Sequence, residues 1–170
     1  GMTPARRVMW KEGMFLRAQH FQQQDRRVES LAAQRAAQLQ PFHWGFARLA
    51  LDPGLLEAGK VGFAEEGAAG AFKDGTPFDA PGDAFVPKPV AVPPEAAPCL
   101  VWLAAPEATP GAPLARPQGE GARFAVAPED LRNLLDPDAR PEPVELGRLD
   151  LALHAGERPA GWDALPVARV

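Results

Sequence analysis

Twenty prolines and sixteen glycines are the feature that most limits what this chain of 170 residues can fold into. Proline interrupts helices and lacks a backbone donor for a strand, while glycine favours turns, so long uninterrupted elements are disfavoured. Short strands joined by turns tolerate such a composition better than a helix bundle does. The sequence therefore predicts a mainly β protein, built as a β-sandwich.

One stretch, residues 18–40, has the period of a helix instead. Its apolar positions recur at spacings of seven, four and seven, which keeps them on one narrow stripe. Pro41 ends the helix, and residues 1–17 before it are predicted to form an extended segment with a bend at Gly13. Such a stripe suits a helix that lies on a body or against a partner. Its members are Phe21, Val28, Ala32 and Leu39.

Residues 41–170 are predicted to form the sandwich. Phe42, Trp44 and Phe46 alternate as in a half-buried strand, and the later apolar positions continue one residue out of register, as a β-bulge would produce. The run CLVWLAA at 99–105 is apolar on both faces, which predicts a central strand.

Three later segments carry separate predictions. Residues 129–135 (EDLRNLL) are predicted to form a short helix. Residues 143–156 show two phases of alternating apolar residues, which favours one strand with a bulge at Gly147. The last residues, 165–170, are predicted to be a strand.

Charge and cysteine content narrow the class of protein. The formal net charge is −4 and the 18 Lys and Arg are spread along the chain, which argues against nucleic acid as a partner. No apolar run reaches the roughly 20 residues that span a bilayer, and no signal peptide is recognised. The single Cys99 excludes an internal disulfide and is predicted to be buried. A reducing, cytoplasmic location is the simplest interpretation.

Residues suited to catalysis or metal binding are few. Ser30 is the only serine, lies on the predicted helix and has no nucleophile elbow around it. His20, His43 and His154 are scattered, without a second ligand at the spacing of a metal site. The sequence therefore predicts no enzymatic activity, no metal site and no cofactor.

The stretch WKEGMFLRAQHFQQQD, from Trp10 to Asp25, is the most specific feature. It resembles the N-terminal motif W-x-E-G-M-F-L-x-x-Q-H-F-Q-Q-Q-D of the TssK family, a baseplate component of the bacterial type VI secretion system. Further matches occur at 39–45, 72–81, 144–153 and 165–170. The matched positions of the motif are Trp10, Glu12, Gly13, Met14, Phe15, Leu16, Gln19, His20, Phe21, Gln22, Gln23, Gln24 and Asp25.

The resemblance implies a trimeric adaptor protein without enzymatic activity. Its fold would be a β-sandwich like the shoulder of siphophage receptor-binding proteins, preceded by one N-terminal helix. The shoulder would dock onto the TssF–TssG wedge of the baseplate, in the cytoplasm. The family's neck and C-terminal head, the part that contacts the membrane complex, would be absent from this chain. The matched motif residues are expected either to bind the wedge or to hold the fold.

Two alternatives remain open. Trp10 and Phe15 would hold the N-terminal segment on the sandwich, with Gly13 as a bend, instead of contacting a partner. A carbohydrate- or ligand-binding β-sandwich is the alternative function, because four tryptophans could stack on sugar rings. Of these, Trp102 is expected to be buried, and Trp10 and Trp162 are expected to be exposed.

Overall fold

The structure is a computed structural model that describes residues 5–96, 98–136 and 138–170. A long helix, α1 (Ala18–Leu39), precedes the strands. A short helix, α2 (Pro53–Glu57), follows the first strand and is capped by the side chain of Asp52. The strands are β1 (Gly45–Leu51), β2 (Lys60–Val61), β3 (Phe63–Ala71), β4 (Pro77–Ala80), β5 (Val90–Ala91), β6 (Leu100–Pro106), β7 (Ala115–Arg116), β8 (Phe124–Leu131), β9 (Glu142–Leu149), β10 (Ala152–Ala155) and β11 (Trp162–Arg169).

Two three-stranded antiparallel sheets enclose the core. Their strand orders are β1-β3-β4 and β10-β6-β11, so β6 is the central strand that the apolar run predicted. Side chains from both sheets and their connections form one cluster, in which Phe72, Leu103 and Leu165 are almost fully buried. Each such burial stabilises the fold by about 1.5–3 kcal/mol. The prediction of a mainly β sandwich after one N-terminal helix is confirmed.

The first strand begins later than predicted. β1 starts at Gly45, so Phe42 lies outside it and is 75% exposed, which makes its predicted inward position wrong. Trp44 and Phe46 do pack against the core. The pairing of β1 with β3 shifts register at two places after Phe46, which confirms the predicted bulge.

A further sheet is dominated by a two-stranded ribbon. β8 and β9 pair antiparallel from the Phe124–Leu149 pair to the Leu131–Glu142 pair, and β7 pairs with the first two residues of β8. We call residues 126–147, which include the loop between the strands, the hairpin arm. The prediction of a helix at 129–135 is wrong, because continuous cross-strand pairing to Leu131 overrides the local helical preference.

The prediction of one bulged strand at 143–156 is also wrong. Gly147 pairs in register with Val126, without a bulge. The segment instead contains β9 and β10, which belong to different sheets. The alternation of apolar residues changes phase because the chain leaves the sheet of β8 and β9 after Leu149 and enters the sheet of β6, β10 and β11 at Ala152.

A buried arginine links the two sheets of the sandwich. Arg123, which is 6% exposed, donates to Asp74 Oδ2 and Asp163 Oδ2, each at 2.8 Å. It also donates to Thr76 Oγ1 at 2.8 Å and to the Pro106 carbonyl oxygen at 2.9 Å. Asp74 and Thr76 lie in the turn between β3 and β4, whereas the other two acceptors lie in β11 and β6. One side chain therefore ties together segments of both sheets.

The Asp163 carboxyl is expected to make stability depend on pH. Burial raises its pKa above the ordinary value of 3.8; the hydrogen bond from Arg123 opposes this shift, and the negative charge of Asp74 adds to it. A folded-state pKa above the unfolded one means that the contribution of Asp163 to stability is present below pH 3.8. This contribution is lost as pH rises through the raised pKa.

We therefore expect the stability of Asp163→Asn relative to the wild type to improve as pH rises through that range, since the amide does not titrate. Urea unfolding of both chains at a series of pH values measures this difference in unfolding free energy. A difference that stays constant, or that falls with rising pH, would contradict the direction of the pKa shift.

Candidate protein-docking surface

Polar side chains of α1 hold Ala5 and Arg6, where the described part of the chain begins, against the helix. Gln23 Nε2 donates to the Arg6 carbonyl oxygen at 2.6 Å, and Arg27 Nη1 donates to the Ala5 carbonyl oxygen at 3.1 Å. The Ala5 N–H donates to Ser30 Oγ at 3.2 Å, and both residues are buried. The segment before α1 therefore runs back along the helix, and Gln23 of the motif has a fold-holding contact.

The N-terminal unit, defined here as residues 5–40, carries its apolar stripe on the outside. Ser30 lies on the side of α1 that faces the first residues and is 3% exposed. Phe21, Val28 and Leu39 lie on the opposite side of the helical wheel and are 55%, 56% and 82% exposed. Surface helices ordinarily bury such a stripe. Within the part of the chain that the structure describes, this one remains uncovered.

A turn at Gly13 is followed by two side chains that lie in solvent. Gly13 has a φ of +73°, a conformation that glycine adopts without strain. The Met14 N–H donates to the Lys11 carbonyl oxygen, and the Lys11 N–H donates to Met14 Sδ, each at 3.4 Å. Phe15 and Leu16 follow the turn and are 84% and 55% exposed. Phe15 is therefore not an anchor on the sandwich.

Trp10 and His20 shape the start of α1. His20 Nδ1 accepts a hydrogen bond from the Arg17 N–H at 3.0 Å, which satisfies a donor at the helix terminus. The Trp10 ring lies 6.1 Å from the His20 ring and 6.3 Å from the Phe21 ring, between centroids, and Trp10 is still 50% exposed. His20 thus has a capping role, and Trp10 has both a packed and an exposed side.

The remaining polar motif residues lie on the surface. Glu12, Gln19, Gln22 and Asp25 are exposed, and Gln24 is half-buried. Uncharged amide side chains can donate and accept hydrogen bonds without the cost of desolvating a charge. The motif therefore divides into residues that shape the N-terminal unit, namely Gly13, Met14, His20 and Gln23, and residues that present a surface.

The N-terminal unit approaches the sandwich at the turn between β3 and β4. A Cβ built on Gly75 would lie 2.7 Å from the Ala33 Cβ, so only a glycine lets α1 come this close. Gly75 also has a φ of +88°, which this Asp-Gly turn requires. The turn that holds Asp74 of the buried ion cluster therefore also supports the helix.

Several exposed apolar side chains outside the motif were not anticipated. Met9 is 68% exposed, and Leu134 and Leu135, at the tip of the hairpin arm, are each 95% exposed. A loop has no periodicity that would mark such residues as outward-facing. Their adjacency as a Leu-Leu pair between strands was the available signal.

Metal and membrane sites find no support in the part of the chain that the structure describes. No group of three or more His, Cys, Asp or Glu residues there is arranged to hold a metal ion. Neither described α-helix is long and apolar enough to cross a bilayer.

Comparison with known proteins identifies the family to which this chain belongs. The profile of the bacterial type VI secretion family that includes EvfL, ImpJ and VasE matches residues 20–170. The type VI secretion system baseplate component TssK1 of Pseudomonas aeruginosa is 38% identical over 168 residues, which is 96% of this chain and 37% of TssK1.

Solved structures that contain TssK have the same fold as this chain. A crystal structure of TssK has a TM-score of 0.82 at 32% identity, over 97% of this chain and 38% of that one. A TssK-TssF-TssG baseplate subcomplex contains a chain with a TM-score of 0.80 at 23% identity, over 98% of this chain and 56% of that one. The second likeness shows the fold.

The fold and this surface define a class of protein: a β-sandwich preceded by a helix whose apolar stripe faces outward. The chain belongs to the TssK family of type VI secretion baseplate components. It spans just over a third of the length of TssK1 and of the crystallised TssK.

Proposed function

We propose that the chain is the part of a baseplate adaptor that docks onto a TssF–TssG wedge through its N-terminal unit. The observation that carries this proposal is the exposure of Phe15, Leu16 and Phe21 around a turn and a helix start that other motif residues hold in place. Large apolar patches on soluble proteins commonly mark protein-binding sites. A relative solved with TssF and TssG supports this choice of partner.

The surface chemistry suits a protein partner. Aromatic side chains supply much of the binding energy at protein interfaces, and Phe15, Phe21 and Trp10 are exposed here by half or more. Met14 Sδ accepts a hydrogen bond from the Lys11 N–H and so holds the turn that presents these side chains. The glutamines around them offer hydrogen bonds at the rim.

The wider role is a structural one. In this proposal residues 1–17 and 18–40 act together as the docking element, and residues 41–170 act as the shoulder that carries it. The chain would work in the cytoplasm, without enzymatic activity or a cofactor, as part of a homotrimer. A head outside this chain would link the baseplate to the membrane complex.

Replacement of Phe15 by Ser tests the docking surface. We expect Phe15→Ser to weaken binding to a purified TssF–TssG wedge at least about 10-fold, because an exposed aromatic anchor is lost. Its stability should change little, since the side chain is 84% exposed. Biolayer interferometry with immobilised wedge measures the dissociation constant, and circular dichroism reports the fold.

Phe42→Ser is the matched control, because Phe42 is 75% exposed but lies outside the motif. It should bind the wedge as tightly as the wild type. If Phe15→Ser bound the wedge with the affinity of the wild type, the motif would not be part of the contact surface. Failure of the wild-type chain to bind the wedge would overturn the docking proposal itself.

The alternative of a sugar-binding site loses support from the tryptophans. Trp102 Nε1 donates to the Gly156 carbonyl oxygen at 2.9 Å, and the Trp162 ring packs against His154 at 4.9 Å. Trp44 is covered by the Lys73 ammonium at 4.7 Å from its ring centroid. All three are partly buried. Trp162 is therefore less exposed than expected, and Trp102 is less buried than expected. Trp10 is then the one large exposed indole in the described residues.

A further inference from the structure

The N-terminal unit is not fastened to the sandwich by polar contacts. Among the described residues, no hydrogen bond, ion pair or aromatic contact joins residues 5–40 to residues 41–170, and those that the unit makes lie within it. The chain passes from α1 into the sandwich at Gln40–Pro41. Support along the helix comes from the close approach of Ala33 to Gly75 in the turn between β3 and β4. The position of this turn therefore sets how the unit sits on the sandwich.

Local hydrogen bonds give the turn its shape. The Phe72 N–H donates to the Thr76 carbonyl oxygen, and the Gly75 N–H donates to the Phe72 carbonyl oxygen, each at 2.9 Å. The Thr76 N–H donates to Asp74 Oδ1, also at 2.9 Å. All of these bonds lie within the turn, so they do not fix its place relative to the second sheet.

Arg123 supplies the link to the second sheet. Its Nη2 donates to Asp74 Oδ2 and to Thr76 Oγ1, each at 2.8 Å, and these two acceptors flank Gly75. Its Nη1 donates to the acceptors in β6 and β11 described above. A guanidinium is planar and holds its donors in a fixed arrangement. One nitrogen therefore grips the turn on both sides of the glycine, while the other grips the second sheet.

We propose that Arg123 is a positioning residue for the docking surface. It holds the turn between β3 and β4 against β6 and β11 and thereby keeps the N-terminal unit in one orientation on the sandwich. The effect on docking rests on the proposed function, whereas the effect on orientation does not. Without this link the unit would pivot about Gln40–Pro41, and the exposed residues of the motif would face the wedge at varying angles.

The length of α1 makes such a pivot measurable. Ala33 lies seven residues before Gln40 and Arg26 lies fourteen residues before it. At 1.5 Å per residue these positions are about 10 Å and about 21 Å from the pivot. A displacement at Ala33 is therefore about doubled at Arg26.

Spin labels on two introduced cysteines measure the orientation of the unit. Arg26→Cys lies on α1 and Glu65→Cys lies on β3, and both positions are exposed. Cys99→Ala removes the native thiol, so that only the two introduced positions are labelled. Double electron–electron resonance on the 170-residue chain gives the distribution of distances between the labels. Circular dichroism of the same samples reports the fold.

Gly75→Ala tests the contact with α1. A Cβ at this position would lie 2.7 Å from the Ala33 Cβ. Because apolar atoms prefer about 3.5–4.0 Å, we expect α1 to move by about 1 Å there and by about 2 Å at Arg26.

Gly111→Ala is the matched control for backbone strain. Gly111 has a φ of +81°, against +88° for Gly75, but an added Cβ would meet no atom within 4 Å. We expect the mean distance between the labels to shift in Gly75→Ala alone. Equal shifts in both variants, or no shift in Gly75→Ala, would overturn the contact as the support of the unit.

Arg123→Lys tests the link itself, because lysine keeps the positive charge. An ammonium group donates from one point and cannot hold the turn, β6 and β11 together, so the distance distribution should be at least about twofold wider than that of the wild type. Thr76→Val removes one acceptor beside Gly75 without changing a charge and should widen the distribution less. Arg148→Lys, the same change in an exposed ion pair, should leave it unchanged.

A wild-type width for Arg123→Lys would overturn the proposal. If Arg123→Lys did not fold, Thr76→Val would decide in its place, since it keeps all the charges of the cluster. An equal increase in width for Arg148→Lys would also overturn it, because the effect would then not belong to the Arg123 cluster.

Binding to a purified TssF–TssG wedge separates orientation from docking. If a tenth of the Arg123→Lys molecules hold the unit correctly, the apparent affinity falls about 10-fold, whereas Arg148→Lys should bind as the wild type does. A wider distribution with unchanged affinity would overturn the positioning role in docking. A wild type that did not bind the wedge would contradict the proposed function, while the distances would still report whether Arg123 fixes the orientation.

Discussion

Replacement of Arg123 by Met is expected to cost about 3–5 kcal/mol of folding stability, as for removal of one partner from a buried ion pair. Methionine keeps an apolar stem but donates no hydrogen bond. The Asp74 and Asp163 carboxylates, 25% and 18% exposed, would then share a partly buried site without a counter-charge. The Pro106 carbonyl oxygen would also lose its donor. Urea unfolding followed by tryptophan fluorescence measures the loss.

The ion pair between Arg148 and Glu129 supplies a matched control. Its side chains are 36% and 38% exposed, and its charges remain largely hydrated. Arg148→Met should cost no more than about 1 kcal/mol. If Arg123→Met and Arg148→Met lowered the free energy of unfolding equally, burial would not be the reason why the Arg123 cluster stabilises the fold.

Replacement of Phe72 by Ala is expected to cost about 3–5 kcal/mol, because it combines lost burial with a cavity in the core. Phe72 is fully buried, and its ring lies 5.0 Å from that of Phe78 between centroids. The side chain lies in the cluster that both sheets share. The same urea unfolding experiment measures the change.

Phe15→Ala is the same chemical change at an exposed position. With Phe15 84% exposed, this variant should stay within about 0.5 kcal/mol of the wild type. We expect the effects on wedge binding to be the reverse. Phe15→Ala should bind the wedge more weakly than the wild type, whereas the Phe72→Ala molecules that remain folded should bind it as tightly as the wild type. A large stability loss at Phe15 would show that this residue holds the fold.

The candidate site was largely predictable because its signals are local. The motif from Trp10 to Asp25 and the stripe of α1 depend on residue spacing along the chain, which a sequence displays directly. The apolar run of β6 is local in the same sense. Their structural assignments are therefore confirmed, whereas the role of the motif in binding stays a prediction.

By itself, then, the sequence determined the mainly β fold, the long first helix, the central strand and the family, since each rests on composition or on neighbouring residues. Only the tertiary structure decided which sheet each strand joins, and with it the hairpin arm and the break between β9 and β10. It also brought Arg123 to Asp74 and Asp163, which are 49 and 40 residues away, and turned the apolar stripe of α1 outward. These features depend on contacts between distant residues, and no local pattern records such contacts.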